Sequence, residues 1–294
     1  MEGQVNPEGL ERARSTGDFG PLDSDSEGLW LVLGGGGLKG MAHVGAYQAL
    51  EEAGVRPAGI VGTSIGALVG ASIASGMSAA EMRDLAVGLD RRDIARLNRG
   101  AVWINGIREV SVFRGDVLRE YFQEVLLDGG WDALDIPLLI NAVDLGDGSL
   151  HWFGSGHRDD VSLLDAVYAS AALPVFYPPF ELNGRAYVDG GISRSLPVDK
   201  AQSEGAARIL AIDVGSGEKA DTADVMKRGM IAIHQRVVSI MMWRRRFEMV
   251  SRWDGVPLLY VRPQLEGYGT FDFDHVGYFL EEGYRAMKEA LESA

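Results

Sequence analysis

Ile60-Val61-Gly62-Thr63-Ser64-Ile65-Gly66-Ala67-Leu68 is a short apolar run that turns at a serine and continues with the residues of a helix. Its centre, GTSIG at Gly62–Gly66, fits the G-x-S-x-G pattern, in which a tight strand-to-helix turn lifts a serine oxygen above the end of a sheet. Gly62 and Gly66 flank Ser64 and present no Cβ to crowd such a turn. A helix starting at Ile65 directs its first N–H groups and its positive dipole end toward the serine oxygen, which favours a developing alkoxide. The same five residues also suit an ordinary turn in a chain rich in glycine and alanine. The meaning of Ser64 therefore depends on what the neighbouring segments supply.

On the N-terminal side, Leu29-Trp30-Leu31-Val32-Leu33 reads as a strand covered on both faces and runs into Gly34-Gly35-Gly36-Gly37-Leu38-Lys39-Gly40. A helix is expected from Met41 to Ala53, closed by Gly54. Two chemical readings of this glycine loop stay open. Gly35, Gly37 and Gly40 satisfy G-x-G-x-x-G, a dinucleotide phosphate pattern, yet the next strand, about Ala58 to Val61, ends at Gly62 and Thr63 rather than at an acid for a ribose hydroxyl. A P-loop is disfavoured, because Lys39 precedes Gly40 and no Ser or Thr follows in place. The second reading is an oxyanion hole, with glycine N–H groups at a helix start facing an acyl oxygen. Its position one strand before GTSIG favours this second reading.

On the C-terminal side, residues 67–76 are small and apolar, and Ser78 with Glu81 forms a capping-box start for another helix. Residues 90–114, including Trp103 and Ile104, lack periodicity and are expected to be a mobile cover; helical spacing returns over 116–127. Residues 137–143 read as a buried strand with a hairpin partner over 149–153. Asp144 and Asp147 between them are read as turn acids rather than metal ligands. A helix over 162–172 precedes the proline-stiffened run 174–180, which suits either an acyl pocket wall or a rigid core connection. Arg185–Val188 reads as a strand delivering Asp189-Gly190-Gly191, and residues 207–214 and 256–261 supply two more strands. Within residues 220–252, the run Met241–Met249 mixes apolar and basic residues and fits a helix packed on the body with its arginines in water, or an interfacial helix. A terminal helix is expected over 277–292.

The chain has 294 residues, 46% of them hydrophobic, enough to bury one large α/β core. Residues 1–28 are polar and Gly/Pro-rich and are expected to be a flexible tail, leaving 29–294 as the folded domain. Formal net charge is −14, which argues against nucleic acid as a partner and against broad attraction to anionic membrane. There are no cysteines, so thiolate chemistry and disulfides are excluded. With no apolar signal core and no spanning stretch, the expectation is a cytoplasmic protein.

A serine of this kind normally needs a histidine base, but none of His43, His151, His157, His234 and His275 stands where an α/β-hydrolase triad would place it. GGGLKG at Gly35–Gly40, GTSIG at Gly62–Gly66, ASAALPVFYPP at Ala169–Pro179 and Asp189-Gly190-Gly191 together resemble the patatin-like phospholipase family. The stretch FDFDHVGYFLEEGY near the C-terminus is similar to members related to the neuropathy target esterase domain. The resemblance implies a three-layer α/β/α fold with a largely parallel central sheet and hydrolysis of lipid acyl esters without metal or cofactor. It implies Ser64 as nucleophile, Asp189 as base, and the N–H groups of Gly35, Gly36 and Gly37 as oxyanion donors. Lys39 stands where many members carry arginine, a replacement that keeps the charge but loses the planar fork. The implied partner is a phospholipid or lysophospholipid, with transient contact at a membrane surface. A lipid-binding module with an idle dyad is the alternative from another class, and a nucleotide-binding protein a weaker one.

Overall fold

The computed structural model describes residues 13–22, 27–98, 109–158, 160–215 and 220–293. Among these, nine strands make one sheet: β1 (Ala13–Thr16), β2 (Leu29–Leu33), β3 (Gly59–Gly62), β4 (Leu138–Asp144), β5 (Leu150–Gly154), β6 (Phe180–Leu182), β7 (Arg185–Asp189), β8 (Arg208–Ile212) and β9 (Leu258–Val261). The order is β1-β9-β8-β2-β3-β4-β7-β6, with β5 also on β4. The centre, β9-β8-β2-β3-β4, is parallel, while β1, β5, β6 and β7 pair antiparallel.

The apolar run of β2 shows why the sheet is covered on both faces. All five residues are buried; Leu29, Leu31 and Leu33 join one core cluster, and Trp30 with Val32 helps form the other. The larger core lies under α1 (Met41–Glu52), α2 (Ile65–Ala74), α3 (Leu163–Ala171) and the terminal α5 (Val276–Ser293). The smaller core packs Leu196, Val198 and Ala201 with Val250 of the long helix α4 (Met230–Ser251). Each fully buried leucine contributes roughly 1.5–3 kcal/mol of transfer free energy, so the double-sided burial of the central strands is what fixes the layers.

Some segments differ from the sequence expectation. Within the stretch expected to be a tail, β1 pairs with β9 in the register Ala13↔Val261 to Thr16↔Leu258, and Phe19 is buried beneath Arg208, whose guanidinium donates to the Phe19 and Pro21 carbonyls at 3.0 and 3.1 Å. Backbone pairing along an open sheet edge does not need apolar side chains, and Phe19 supplies one aromatic anchor just after the strand. Residues 1–12 and 23–26 lie outside the described residues. Residues 99–108, with Trp103 and Ile104, also lie outside them, and with them the centre of the segment expected to be a cover. Ser78 and Glu81 form the capping box that their spacing called for. Residues 220–252 are two helices, Thr222–Lys227 and α4, parted where Gly229 adopts φ 80°.

Candidate active site

β3 ends at Gly62, and two residues later Ser64 takes φ 57° and ψ −124°, a conformation that costs a non-glycine residue roughly 1–3 kcal/mol. Three hydrogen bonds hold the turn: Gly66 N–H to the Thr63 carbonyl and Ala67 N–H to the Ser64 carbonyl, both at 2.9 Å, and Ser64 N–H to the Ser170 hydroxyl at 2.8 Å. A Cβ on Gly66 would stand 2.2 Å from the Leu33 carbonyl oxygen, and one on Gly62 would stand 2.5 Å from the Gly66 oxygen. Only glycine lets α2 start this close to the end of β2. Of the first N–H groups of α2, those of Gly66 and Ala67 bond to carbonyls inside the turn and so are not directed at the serine oxygen as the sequence led one to expect.

The carboxylate arrives from the opposite direction. On β4, Gly62 pairs with Ile140 and Asp189 pairs with Ala142, while β5 occupies the other edge of β4 from Leu139 to Val143. β3 and β7 therefore share one edge of β4 and run toward each other, with their facing ends two residues apart, roughly 7 Å along a strand. Asp189 is buried at the end of β7, with its Oδ1 accepting the Gly191 N–H at 2.7 Å. Burial pushes its carboxyl up to about 6, against the opposing pull of hydrogen bonds from Ser64 and the Gly191 amide. Gly190 passes close to Asn141, where a Cβ would lie 2.1 Å from the amide oxygen.

The glycine loop after β2 forms the third side. Gly34 N–H donates to Ile212 and Gly35 N–H to Ser195, both carbonyls at 3.1 Å. Gly35 is thus turned away as a donor, a correction to the expectation of three, while the N–H groups of Gly36 and Gly37 have no hydrogen-bond partner among the described residues. Gly37 has φ 63°, and a Cβ there would meet the Thr270 carbonyl oxygen at 2.4 Å. Behind the loop, His43 is fully buried and its Nε2–H donates to the Gly34 carbonyl at 2.8 Å. Burial drives its imidazole down to about 4, although the bond to Gly34 opposes this, so the ring is neutral and braces the loop. Lys39 is buried beneath the loop, outside the cavity lining, and Gly40 allows the loop to close against Ile65, whose Cγ2 would be 2.2 Å from a Cβ.

Ser64, Asp189 and Gly35–Gly37 line one cavity. Its lining is mostly apolar and includes Leu38, Met41, Leu118, Phe122, Pro174, Phe176, Tyr177 and Phe271. The proline-stiffened run thus faces the cavity, with Phe176 packed on Phe271 at 4.9 Å between ring centres. His234, Val238, Met242 and Arg246 of α4 close the remaining side. His157 and His275 sit at the surface with Glu204 and Asp272 at 2.9 and 2.7 Å.

Two features have no clear signal in sequence. Ser170, lone hydroxyl in the small-residue run Ala169–Ala172, is completely buried to receive the Ser64 amide. Arg246 reads in sequence as one of three solvated arginines, but its Nε donates to Asp213 Oδ2 at 2.8 Å in a buried pair, with Tyr260 also donating to Asp213 at 2.7 Å. Burial raises the Asp213 carboxyl, but Arg246, Arg262 and its hydrogen bonds together hold it below the usual carboxylate range.

Residues 31–201 match the family model described as patatin-like phospholipase. The chain belongs to the patatin-like phospholipase family. Patatin-like phospholipase domain-containing protein 6 of Mus musculus is 28% identical over 313 aligned residues, covering 94% of this chain and 22% of that protein. An uncharacterized NTE family protein of Mycobacterium bovis is 33% identical over 201 residues, covering 68% of this chain and 53% of that protein. The chain thus spans about a fifth of the mammalian relative and about half of the mycobacterial one. Among solved structures, VipD from Legionella pneumophila superimposes with a TM-score of 0.55 at 16% identity, over 90% of this chain and 66% of that one, a likeness of the patatin-like fold. The dinucleotide alternative is not what the family match supports.

Proposed function

We propose that this member of the patatin-like phospholipase family hydrolyses acyl esters of phospholipids or lysophospholipids through Ser64 and Asp189. The observation that carries the reading is the meeting of a strained, glycine-flanked serine with a buried carboxylate whose pKa is raised to about 6, inside an apolar cavity. Such a carboxylate is ionised at neutral pH yet more basic than an ordinary aspartate, which suits a general base.

In the first half-reaction Ser64 Oγ attacks the ester carbonyl carbon and its proton passes to Asp189. The oxygen that gains the negative charge is received by the N–H groups of Gly36 and Gly37, donors already oriented and costing no reorganisation. Collapse breaks the bond to the alcohol, which leaves with the proton from Asp189, and Ser64 holds the acyl group. In the second half Asp189 takes a proton from water as its oxygen attacks the acyl carbon; the fatty acid departs and Ser64 recovers its proton. The apolar walls around Leu118, Phe122 and Phe176 suit an acyl chain rather than a charged substrate.

Wild-type protein is expected to hydrolyse lysophosphatidylcholine and short-chain nitrophenyl esters, and to be labelled by a fluorophosphonate at Ser64. Ser64→Ala is expected to lose about a thousandfold or more in turnover. Full turnover by that variant would end the serine mechanism, and failure of the folded wild type to react with the probe would favour a lipid-binding module with an idle dyad.

A further inference from the structure

The 22-residue helix α4 has two unlike sides. Its buried residues, Arg246, Phe247 and Val250, all fall in the last third. The preceding part lies over the cavity, with His234, Val238 and Met242 facing in. Facing out are Met230, Val237 and Met241, which are 75%, 50% and 56% exposed. They stand at positions i, i+7 and i+11, with the part-exposed Ile233 between them, so they form one stripe along the helix. Met226, on the preceding short helix, is 64% exposed as well. An apolar stripe this open on the outer side of a helix that roofs a cavity is not explained by packing among the described residues.

Charge selects what covers it. Residues 221–252 hold seven Lys and Arg against three acids, in a chain whose net charge is −14. Lys227 and Arg228 precede the stripe and Arg244 and Arg245 follow it. Arg228 pairs with Asp224 at 2.7 Å and Arg246 is taken up by Asp213, but the stripe remains bracketed by cations at both ends. Two copies meeting through this same helix would set its cations against each other, whereas a negatively charged lipid surface is attracted here and repelled elsewhere on the molecule, which also orients the contact. No helix among the described residues is long and apolar enough to cross a membrane, so the contact is one of a helix lying in the interface.

We propose that the outer face of α4 docks on an anionic phospholipid bilayer, with Met230, Val237 and Met241 entering the acyl boundary and the flanking cations meeting the head groups. The inner face of the same helix then opens the cavity directly onto the lipid. The docking stands independently of the chemistry; only the delivery of an acyl chain to Ser64 rests on the hydrolase reading.

The test uses the full chain with Met230→Gln, Val237→Gln and Met241→Gln combined, none of which lines the cavity. Sedimentation with vesicles of phosphatidylcholine containing about one-third phosphatidylglycerol, and with phosphatidylcholine alone, reads the partition. Wild type is expected to bind the anionic vesicles and to lose binding as salt is raised, and the triple variant to bind at least about tenfold more weakly. Arg244→Glu with Arg245→Glu is expected to weaken binding similarly and serves if the triple variant does not fold. Turnover of a short-chain ester in true solution is expected to be unchanged in the triple variant while turnover of vesicle lipid falls. Equal partition of wild type and both variants would overturn the proposal, as would a wild-type dimer that the triple variant dissolves without altering vesicle binding. Loss of vesicle binding by the variants, in a protein that hydrolyses no ester, would support the docking and refute the hydrolase.

Discussion

On one side of the cavity, Ser64, Asp189 and the glycine loop hang from the ends of buried strands, and each is held by hydrogen bonds to backbone or to a buried side chain. On the other side, residues 230–245 of α4 contain no buried side chain, and the helix is buried only in its last turns. The first wall needs rigidity, because a serine at positive φ relaxes to a commoner conformation unless its surroundings over-determine it. The second bears its most exposed apolar residues outward and is anchored only near its C-terminal end, so it is the wall better placed to yield to a substrate or a surface.

The largest effect is expected at the rigid wall. Asp189→Asn should lower kcat/KM by about a thousandfold, and the wild-type pH profile should climb to a plateau above about 6, since the base acts only when ionised. The same group gives a stability signature. Its pKa is raised from 3.8 to about 6 on folding, so between those values the folded state holds more protons than the unfolded one and this residue's contribution to stability falls as pH rises. The melting temperature of wild type relative to Asp189→Asn is therefore expected to decline from below pH 3 to above pH 7, by the equivalent of about 3 kcal/mol. A flat difference would place the carboxyl in water rather than in the buried wall.

Arg246 joins the two walls. Arg246→Met leaves Asp213 ionised and buried without its cation, and is expected to cost about 3–5 kcal/mol in urea denaturation. Because the folded pKa of Asp213 is depressed, the stability this pair supplies is present above the ordinary carboxylate range and lost as pH falls through the lower, folded value. A smaller effect is expected for Ser170→Ala, which leaves the Ser64 amide without its acceptor: kcat about tenfold lower with KM little changed. Smallest is His234→Ala on the yielding wall, expected to stay within about threefold of wild type if Asp189 is the base. A large loss there, with a shifted pH profile, would move the proton transfer to α4 and reverse the roles of the two walls.

Much of the rigid wall was legible from local pattern. A glycine-flanked serine after an apolar run is a turn whatever surrounds it, and Ser78 with Glu81 writes its own cap. Even here one detail escaped: Gly35 donates to Ser195, a residue 160 positions away in the chain, and no local pattern reveals that an amide is already taken. The yielding wall was scarcely legible. The run Arg244-Arg245-Arg246 looks uniform, but one of the three falls on the side of α4 facing Asp213 and is buried. The strand β1 was missed for a related reason, as its pairing with β9 uses backbone groups that every sequence possesses.

The sequence by itself determined the alternation of apolar strands and helices, the places where only glycine fits, and the family, because these depend on residues close together or on ordered motifs. Whether hydroxyl and carboxylate meet depended on β4, which holds the ends of β3 and β7 along one edge two residues apart. That register arises from the packing of both sheet faces at once, and long-range pairing of this kind leaves no periodicity in the residues that it brings together.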